Sequence, residues 1–407
     1  MQYEVRFAPE YSPVESGRSI MSTNYGMISV PGLKNGVRYA VQVRRRTGYN
    51  ANWSVWSEVR KVDVGLPSVI EREDWSRRMQ PLATDHQLLD PAYNIWCGSV
   101  VAGDDHRYYM VYSRWPKSKG HEAWITHSEL ALAVSEDPAG PYRHLKVLLP
   151  ARGPRYWDGI CTHNPAIYKH NNKYYLIYMG ATGPTPEKPV APYSREWYVY
   201  RNSQRIGVAV ADRPEGPWTR FDKPILAPEP DSTSPDAVMV SNPALTFNDR
   251  DEVVMVYKQV EHNSTFRGGK VRFGVAFAPS VFGPYKKHPN PIFQSKDSLD
   301  KNAWMLAEDP FIWFQQGRYH AVVRDVTGRF TGENGLAIFT STDAVDWSPA
   351  LHPKFLSKQL FRTDGTPLGD KLERPWLLFS NGIPTHLFGA MGIDRRNHSM
   401  NVCIPIQ

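Results

Sequence analysis

The chain has 407 residues, 41% hydrophobic and 22% charged, which excludes a disordered chain or a fibre and fits two or three compact units. Its 34 prolines, 13 tryptophans and 21 tyrosines favour short strands and tight turns over long helices. No apolar run approaches the ~18 residues of a membrane span, and the net charge of +7 is spread along the chain apart from Arg44-Arg45-Arg46, unlike the concentrated basic element of a nucleic-acid protein.

The first sixty-odd residues form a separate module. Tyr3-Glu4-Val5-Arg6-Phe7 and Tyr39-Ala40-Val41-Gln42-Val43 alternate as strands with one buried face. Leu33, Gly36 and Tyr39 match the tyrosine corner of fibronectin type III domains, which residues 1–64 resemble. Trp53-Ser54-Val55-Trp56-Ser57 is similar to the Trp-Ser-x-Trp-Ser element of cytokine-receptor versions, whose rings alternate with cations such as Arg44 and Arg46. The resemblance implies a partial β-sandwich with a spacer or docking role, because the family's first two strands would precede Tyr3. A chain cut from a longer parent is therefore expected. Gly65-Leu66-Pro67 reads as a linker, and residues 65–92 as linker plus a segment that closes the next domain.

Residues 93–407 repeat one unit five times. The leading strands are Trp96-Cys97-Gly98-Ser99-Val100, His163-Asn164-Pro165-Ala166-Ile167, Ser241-Asn242-Pro243-Ala244-Leu245, Glu308-Asp309-Pro310-Phe311-Ile312 and Glu373-Arg374-Pro375-Trp376-Leu377. Four of them place Pro at one equivalent position. Each is followed by an aromatic-rich strand, as in Tyr174-Tyr175-Leu176-Ile177-Tyr178. Third strands such as Ile206-Gly207-Val208-Ala209-Val210 precede turns such as Gly216-Pro217-Trp218. Four antiparallel strands per repeat predict an all-β, five-bladed β-propeller.

In such a ring the innermost strands begin at one mouth of an axial funnel, and here those beginnings are polar. Trp157-Asp158-Gly159 followed by His163-Asn164-Pro165, with Gly140-Pro141-Tyr142 and Ser113-Arg114-Trp115-Pro116, resembles the five-bladed glycoside hydrolases related to family 43. The resemblance implies a carbohydrate substrate, polysaccharide hydrolysis, and an extracellular or periplasmic location. That family uses a base Asp, a tuning Asp and an acid Glu on blades one, two and three. The chain departs from this plan, with Trp96-Cys97-Gly98 on blade one and Ser241-Asn242-Pro243 on blade three.

Glycoside hydrolysis needs one protonated carboxyl and one carboxylate flanking the scissile bond. Strand alternation sends Glu308 and Asp309 opposite ways unless a bulge intervenes. Glu308 is the expected general acid, with Asp309 its alternate or tuner, and Asp158 the expected base. Asp309 could instead cap the turn before Pro310, and Asp158 could form an Asx turn with Gly159. His163 suits a sugar hydroxyl or a proton transfer, or else a buried bond to backbone. Trp96 and Trp157, with Trp115 and Trp124, can stack on sugar faces or fill space between blades. Asn164 and Asn242 are candidate substrate contacts. Glu373 and Arg374 form an ion pair or, through the Arg, bind a carboxylated or sulfated sugar. Arg324 has the same two readings, and Lys258 and Arg267 default to the surface. The three cysteines, Cys97, Cys161 and Cys403, read as buried thiols. No ligand spacing demands a metal or other cofactor, and a structural cation at the axis is compatible with the fold. A non-catalytic sugar-binding propeller is the competing expectation, distinguished by how many carboxyls reach the funnel.

Overall fold

Alternating apolar positions pair off along the chain as consecutive antiparallel strands, because each strand is followed by a turn short enough to return it to its neighbour. The computed structural model describes residues 2–9, 11–22, 30, 33, 37–48, 51–64, 69–294, 303–369, 372–393 and 398–407. It divides into two units, Met1–Arg72 and Glu73–Gln407.

The first unit is one four-stranded sheet in the order Arg18–Ser22, Gln2–Pro9, Val37–Arg46, Arg60–Val64. The Trp-Ser-Val-Trp-Ser element lies along Val37–Arg46. Ser54 and Ser57 donate their N–H groups to Arg45 O and Val43 O at 2.8 Å each, and their hydroxyls accept the N–H groups of those same residues at 3.0 Å. This doubled bonding fixes both tryptophans over the sheet. Arg6 and Arg44 lie 4.2 and 4.4 Å from the Trp56 ring, and Arg44 and Arg46 lie 5.0 and 4.7 Å from Trp53, a cation–π ladder. Gly36 of the expected tyrosine corner and the linker Gly65-Leu66-Pro67 lie outside the described residues.

The second unit is a five-bladed β-propeller. Its inner strands are Tyr93–Ala102, Cys161–His170, Met239–Phe247, Ala307–Gln315 and Glu373–Ser380. Each touches the next and the fifth touches the first, so the circuit closes. Buried aromatic and aliphatic residues fill the space between blades. Val254, Phe273, Ile312 and Phe339 do so for blades three and four, and Leu132, Ile167, Leu176 and Tyr178 for blades one and two.

Blade five takes its outermost strand from the other end of the sequence. Gln87 and Leu88 pair with Val402 and Asn401, so the segment before blade one completes the last sheet. The same segment reaches blade four, where Trp75 is fully buried with its ring 5.9 Å from Phe355, and the two-stranded sheet after it, where Leu82 donates its N–H to Phe361 O. Removing a closing strand opens a sheet edge and strips cover from apolar side chains. A fragment of residues 73–407 is therefore expected to melt in one cooperative transition. A fragment of residues 93–407 should melt at a lower temperature or aggregate, having lost Leu88 burial worth about 2–5 kcal/mol and Trp75 besides. Circular dichroism melts of the two fragments check this.

Candidate functional site

Every inner strand carries one extra residue, at the same place in all five blades. The pairings step from Trp96↔Ser113 to Ser99↔Val111, and from His163↔Met179 to Ala166↔Ile177. They step likewise from Ser241↔Lys258 to Ala244↔Val256, from Glu308↔Arg324 to Phe311↔Val322, and from Glu373↔Ala390 to Trp376↔Phe388. The first residue of each bulge has left-handed backbone: φ is 57° at Cys97, 51° at Asn164, 46° at Asn242, 54° at Asp309 and 55° at Arg374. A bulge leaves a backbone N–H out of the ladder, and the proline that follows in four blades has none to leave. Blade one has Gly98 there, and its N–H donates to Asn401 Oδ1 at 3.1 Å. A Cβ on Gly98 would stand 2.8 Å from Asn401 Nδ2, so a larger residue would displace the side chain that accepts the Gly98 N–H.

The bulge sets two consecutive side chains toward the axis. Glu308 and Asp309 both line the funnel, as do Glu373 with Arg374 and His163 with Asn164. The five bulged residues then join around the axis. The Cys97 thiol donates to Asn164 Oδ1 at 2.9 Å, Asn164 Nδ2 donates to Asn242 Oδ1 at 2.7 Å, and Asn242 Nδ2 donates to Asp309 Oδ1 at 2.5 Å. The Arg374 guanidinium lies 3.5 Å from Asp309 Oδ1 and faces the Cys97 sulfur, which closes the ring. Farther along the same strands Trp376 packs on Phe311 and Tyr168, so the axis is filled beneath.

Above this floor is a cavity of about 150 Å³. One wall is aromatic. Trp96 and Trp115 meet the His121 ring edge-on at 5.2 and 5.5 Å, and Trp124 stacks on His163 at 4.9 Å. The other wall, from blades three to five, is ionic. Lys258 Nζ donates to Glu308 Oε1 at 2.6 Å, and Arg324 Nη1 donates to Glu308 Oε2 while lying 3.1 Å from Glu373 Oε1. The Glu308 and Glu373 side chains are each 15% exposed, so both are reachable from the cavity. Burial, then the Glu308 charge, pushes the Asp309 carboxyl above the ordinary aspartate range. Burial, then the positive charge of Arg374, holds His163 well below the usual histidine range, so its imidazole is neutral. The Ser128 hydroxyl and His163 Nδ1 share a hydrogen bond at 2.8 Å, which fixes the ring in place.

The structure does not bring Asp158 or Trp157 to this cavity. Asp158 is wholly buried beside the outer part of blade two. Its Oδ1 accepts from Arg152 Nε at 2.7 Å, and its Oδ2 accepts from Tyr178 Oη at 2.8 Å and from Arg220. It is neither the expected base nor an Asx turn but the anion of a buried ion cluster. Trp157 packs on the same blade, its ring 5.3 Å from that of Tyr178 and tilted 30° to it. A Cβ on Gly207 would sit 2.1 Å from its ring, so glycine makes the space it occupies. Glu308 is in the funnel, but two cations favour its ionised form, the reverse of what a general acid requires. Arg374 pairs with Asp309, while Glu373 pairs with Arg324. Lys258 is not a surface residue, being 14% exposed and held on Glu308. Its position opposite Ser241 on the bulged ladder was the available signal. His121, Glu122 and Tyr193 also line the cavity; they come from connections between strands, where the blade repeat gives no guidance.

No family model matches the chain, and no curated protein matches it. Solved structures of the same fold include BT0996 in an RGII complex, 16% identical over 81% of this chain and 92% of that one, with a TM-score of 0.58. A thermostable family-43 glycoside hydrolase is 12% identical over 81% of this chain and 96% of that chain, at 0.55. Zg3597, a family 117 glycoside hydrolase produced by the marine bacterium Zobellia galactanivorans, is 15% identical over 80% of this chain and 89% of that chain, at 0.54. At such identities the likeness is one of fold, and the five-bladed propeller expected from the repeats is the fold these proteins share.

Proposed function

We propose that the chain is a glycoside hydrolase acting on a polysaccharide or oligosaccharide, with Glu308 and Glu373 as its working carboxyls. The observation that supports this most is their meeting at Arg324 on the wall of a closed-bottomed funnel whose other wall is tryptophan. Indole faces suit the apolar faces of a sugar ring, and a paired acid and carboxylate suit the acetal bond. The named glycoside hydrolases of the same fold favour the same reading.

Lys258 and Arg324 hold Glu308 as the carboxylate that activates water or stabilises the oxocarbenium-like transition state. Glu373, the second carboxyl on the cavity wall, is assigned the proton delivered to the leaving oxygen, which requires the bound substrate to displace its contact with Arg324. Asp309 adjoins Glu308 in sequence and pairs with Arg374, the neighbour of Glu373. His163, neutral and on the cavity wall, hydrogen-bonds a sugar hydroxyl. The Asp158–Glu308 pair expected from sequence is replaced by Glu308–Glu373.

A panel of aryl-glycosides and plant or algal oligosaccharides tests the assignment. Glu308→Gln should lower turnover by about 10²–10⁴-fold on every substrate cleaved. Glu373→Gln should lose as much on oligosaccharides but far less on aryl-glycosides with good leaving groups, which need no proton. Equal loss on both substrate types would remove Glu373 from the acid role. Inactivity of the wild type across the panel, with measurable sugar binding, would favour the non-catalytic binder.

Asp158→Asn separates structure from chemistry. Arg152 and Arg220 would then be buried without their anion, at a cost of about 3–5 kcal/mol. A lower melting temperature is expected, with turnover per folded molecule unchanged. His163 gives a pH signature. Its folded pKa lies below its unfolded value, so the unfolded chain takes up the proton first as pH falls. The stability it contributes is present above about pH 6.5 and is lost below it, by up to about 1.4 kcal/mol per pH unit. Urea unfolding between pH 7 and 5 should show this slope in the wild type and a shallower one in His163→Gln.

A further inference from the structure

Two insertions stand on the funnel side of blades two and three. The helix Arg195–Asn202 joins the second and third strands of blade two, and residues 261–270 do the same in blade three. Both leave from strand ends paired with the beginnings of the inner strands, Cys161↔Ala181 and Met239↔Val260, which puts them at the funnel mouth. They are tied together, with Asn202 Nδ2 donating to Phe266 O at 2.8 Å and Arg201 Nη1 donating to Arg267 O at 3.2 Å.

An aromatic path runs outward from the cavity across this join. Tyr193, which lines the cavity, lies 5.2 Å from Trp197, Trp197 lies 5.1 Å from Tyr198, and Tyr198 lies 5.5 Å from Phe266, which is 41% exposed. Four arginines flank the path. Arg267 stands 5.6 Å from the Phe266 ring and Arg195 6.0 Å from it, and both are exposed. Arg201 is buried, bonded only to Asn202 Oδ1 and Arg267 O, and Arg205 donates to the carbonyls of Gln204 and Asn202. Among the described residues none of the four makes an ion pair. The nearest acids on the same elements do not neutralise them: Glu196 is exposed, and Glu261 accepts the Lys270 N–H. Burial alone lowers Arg205 and brings Arg201 down to about 10, so these guanidiniums lack the anion that usually accompanies buried charge.

We propose that this rim binds an anionic stretch of polysaccharide, its sugar faces on Tyr198 and Phe266 and its carboxylate or sulfate groups on Arg195 and Arg267, while the terminal residue occupies the funnel. The inference rests on the glycoside hydrolase reading and specifies the substrate class. A neutral glycan would use the rings and leave the exposed guanidiniums of Arg195 and Arg267 without an anion. Guanidinium forks meet planar carboxylates and sulfates with paired hydrogen bonds and can lie flat on aromatic rings while doing so.

The test is equilibrium binding to the full chain carrying Glu308→Gln, followed by tryptophan fluorescence. The probes are oligogalacturonides for carboxylate, carrageenan oligosaccharides for sulfate, and xylo-oligosaccharides as the neutral arm. At least one anionic probe should bind about tenfold or more tighter than the neutral one, and its advantage should shrink as salt rises. The double variant Arg195→Gln, Arg267→Gln should erase that advantage with its melting temperature unchanged, since both side chains are exposed. Whichever anionic probe is preferred identifies the group recognised. Equal affinity for all three probes, or a preference that survives the double variant, overturns the proposal. Failure of the hydrolase reading would look different: no turnover by the wild type of an oligosaccharide that binds with the charge preference intact.

Discussion

One backbone irregularity, repeated five times, makes this site. A regular β-strand presents alternate residues to one face, so an inner strand would offer the axis a single side chain at each level. The extra left-handed residue at Cys97, Asn164, Asn242, Asp309 and Arg374 breaks that alternation, and in blades two, four and five it turns two neighbours toward the cavity. Such a conformation costs about 1–3 kcal/mol for a residue with a side chain and persists only where the surroundings over-determine it. Here they do so from two directions. The following proline, or Gly98 with its bond to Asn401, removes the unpaired donor, and the hydrogen-bonded ring holds each bulged side chain on the axis.

Two carboxylates of this protein have nearly the same partners and different prospects. Asp158 is held by Arg152, Arg220 and Tyr178, and Glu308 by Lys258 and Arg324. Asp158 is sealed, whereas 15% of the Glu308 side chain remains exposed at a cavity. A sealed ion cluster organises the blade around it but meets no substrate. An open one keeps its charge fixed in place yet available, which is the preorganisation that charge-stabilising catalysis requires. Access, set by the bulge, separates them more than charge does.

The propeller was legible because its signal is redundant. Five copies of an apolar strand, a turn and an aromatic strand agree where a single copy would be ambiguous, and the Asn-Pro, Asp-Pro and Arg-Pro pairs marked the bulges. The strand beginnings marked a polar mouth, but alternation allowed only one of Glu308 and Asp309 to face inward, and the bulge admits both. Asp158 misled because Trp157-Asp158-Gly159 also precedes an inner strand. Its direction is decided by Arg220 on the outermost strand of blade two, 62 residues away, and no local pattern encodes that partner. Lys258 was legible in principle, since it stands opposite Ser241, but a lone lysine in a strand carries a strong surface prior. His121, Glu122 and Tyr193 come from non-repeated connections, where sequence offers composition and no period.

The ring of side chains at the funnel floor has a direction, and its composition explains it. Arg374 only donates, so the Asp309 Oδ1 it faces is an acceptor, and Asn242 shares that same oxygen. Asn242 must turn its amide nitrogen toward Asp309, which points its oxygen at Asn164, which in turn points its own oxygen at the Cys97 thiol. A thiol is the weak donor that can end such a chain beside a guanidinium without adding a second charge. Five residues of four types thus form one consistent circuit, although the blades that carry them repeat. An Asp in place of either Asn would set two acceptors face to face at the axis. The symmetry of the backbone makes the ring possible, and the asymmetry of its side chains lets one pole of the funnel carry carboxylates while the other carries indoles.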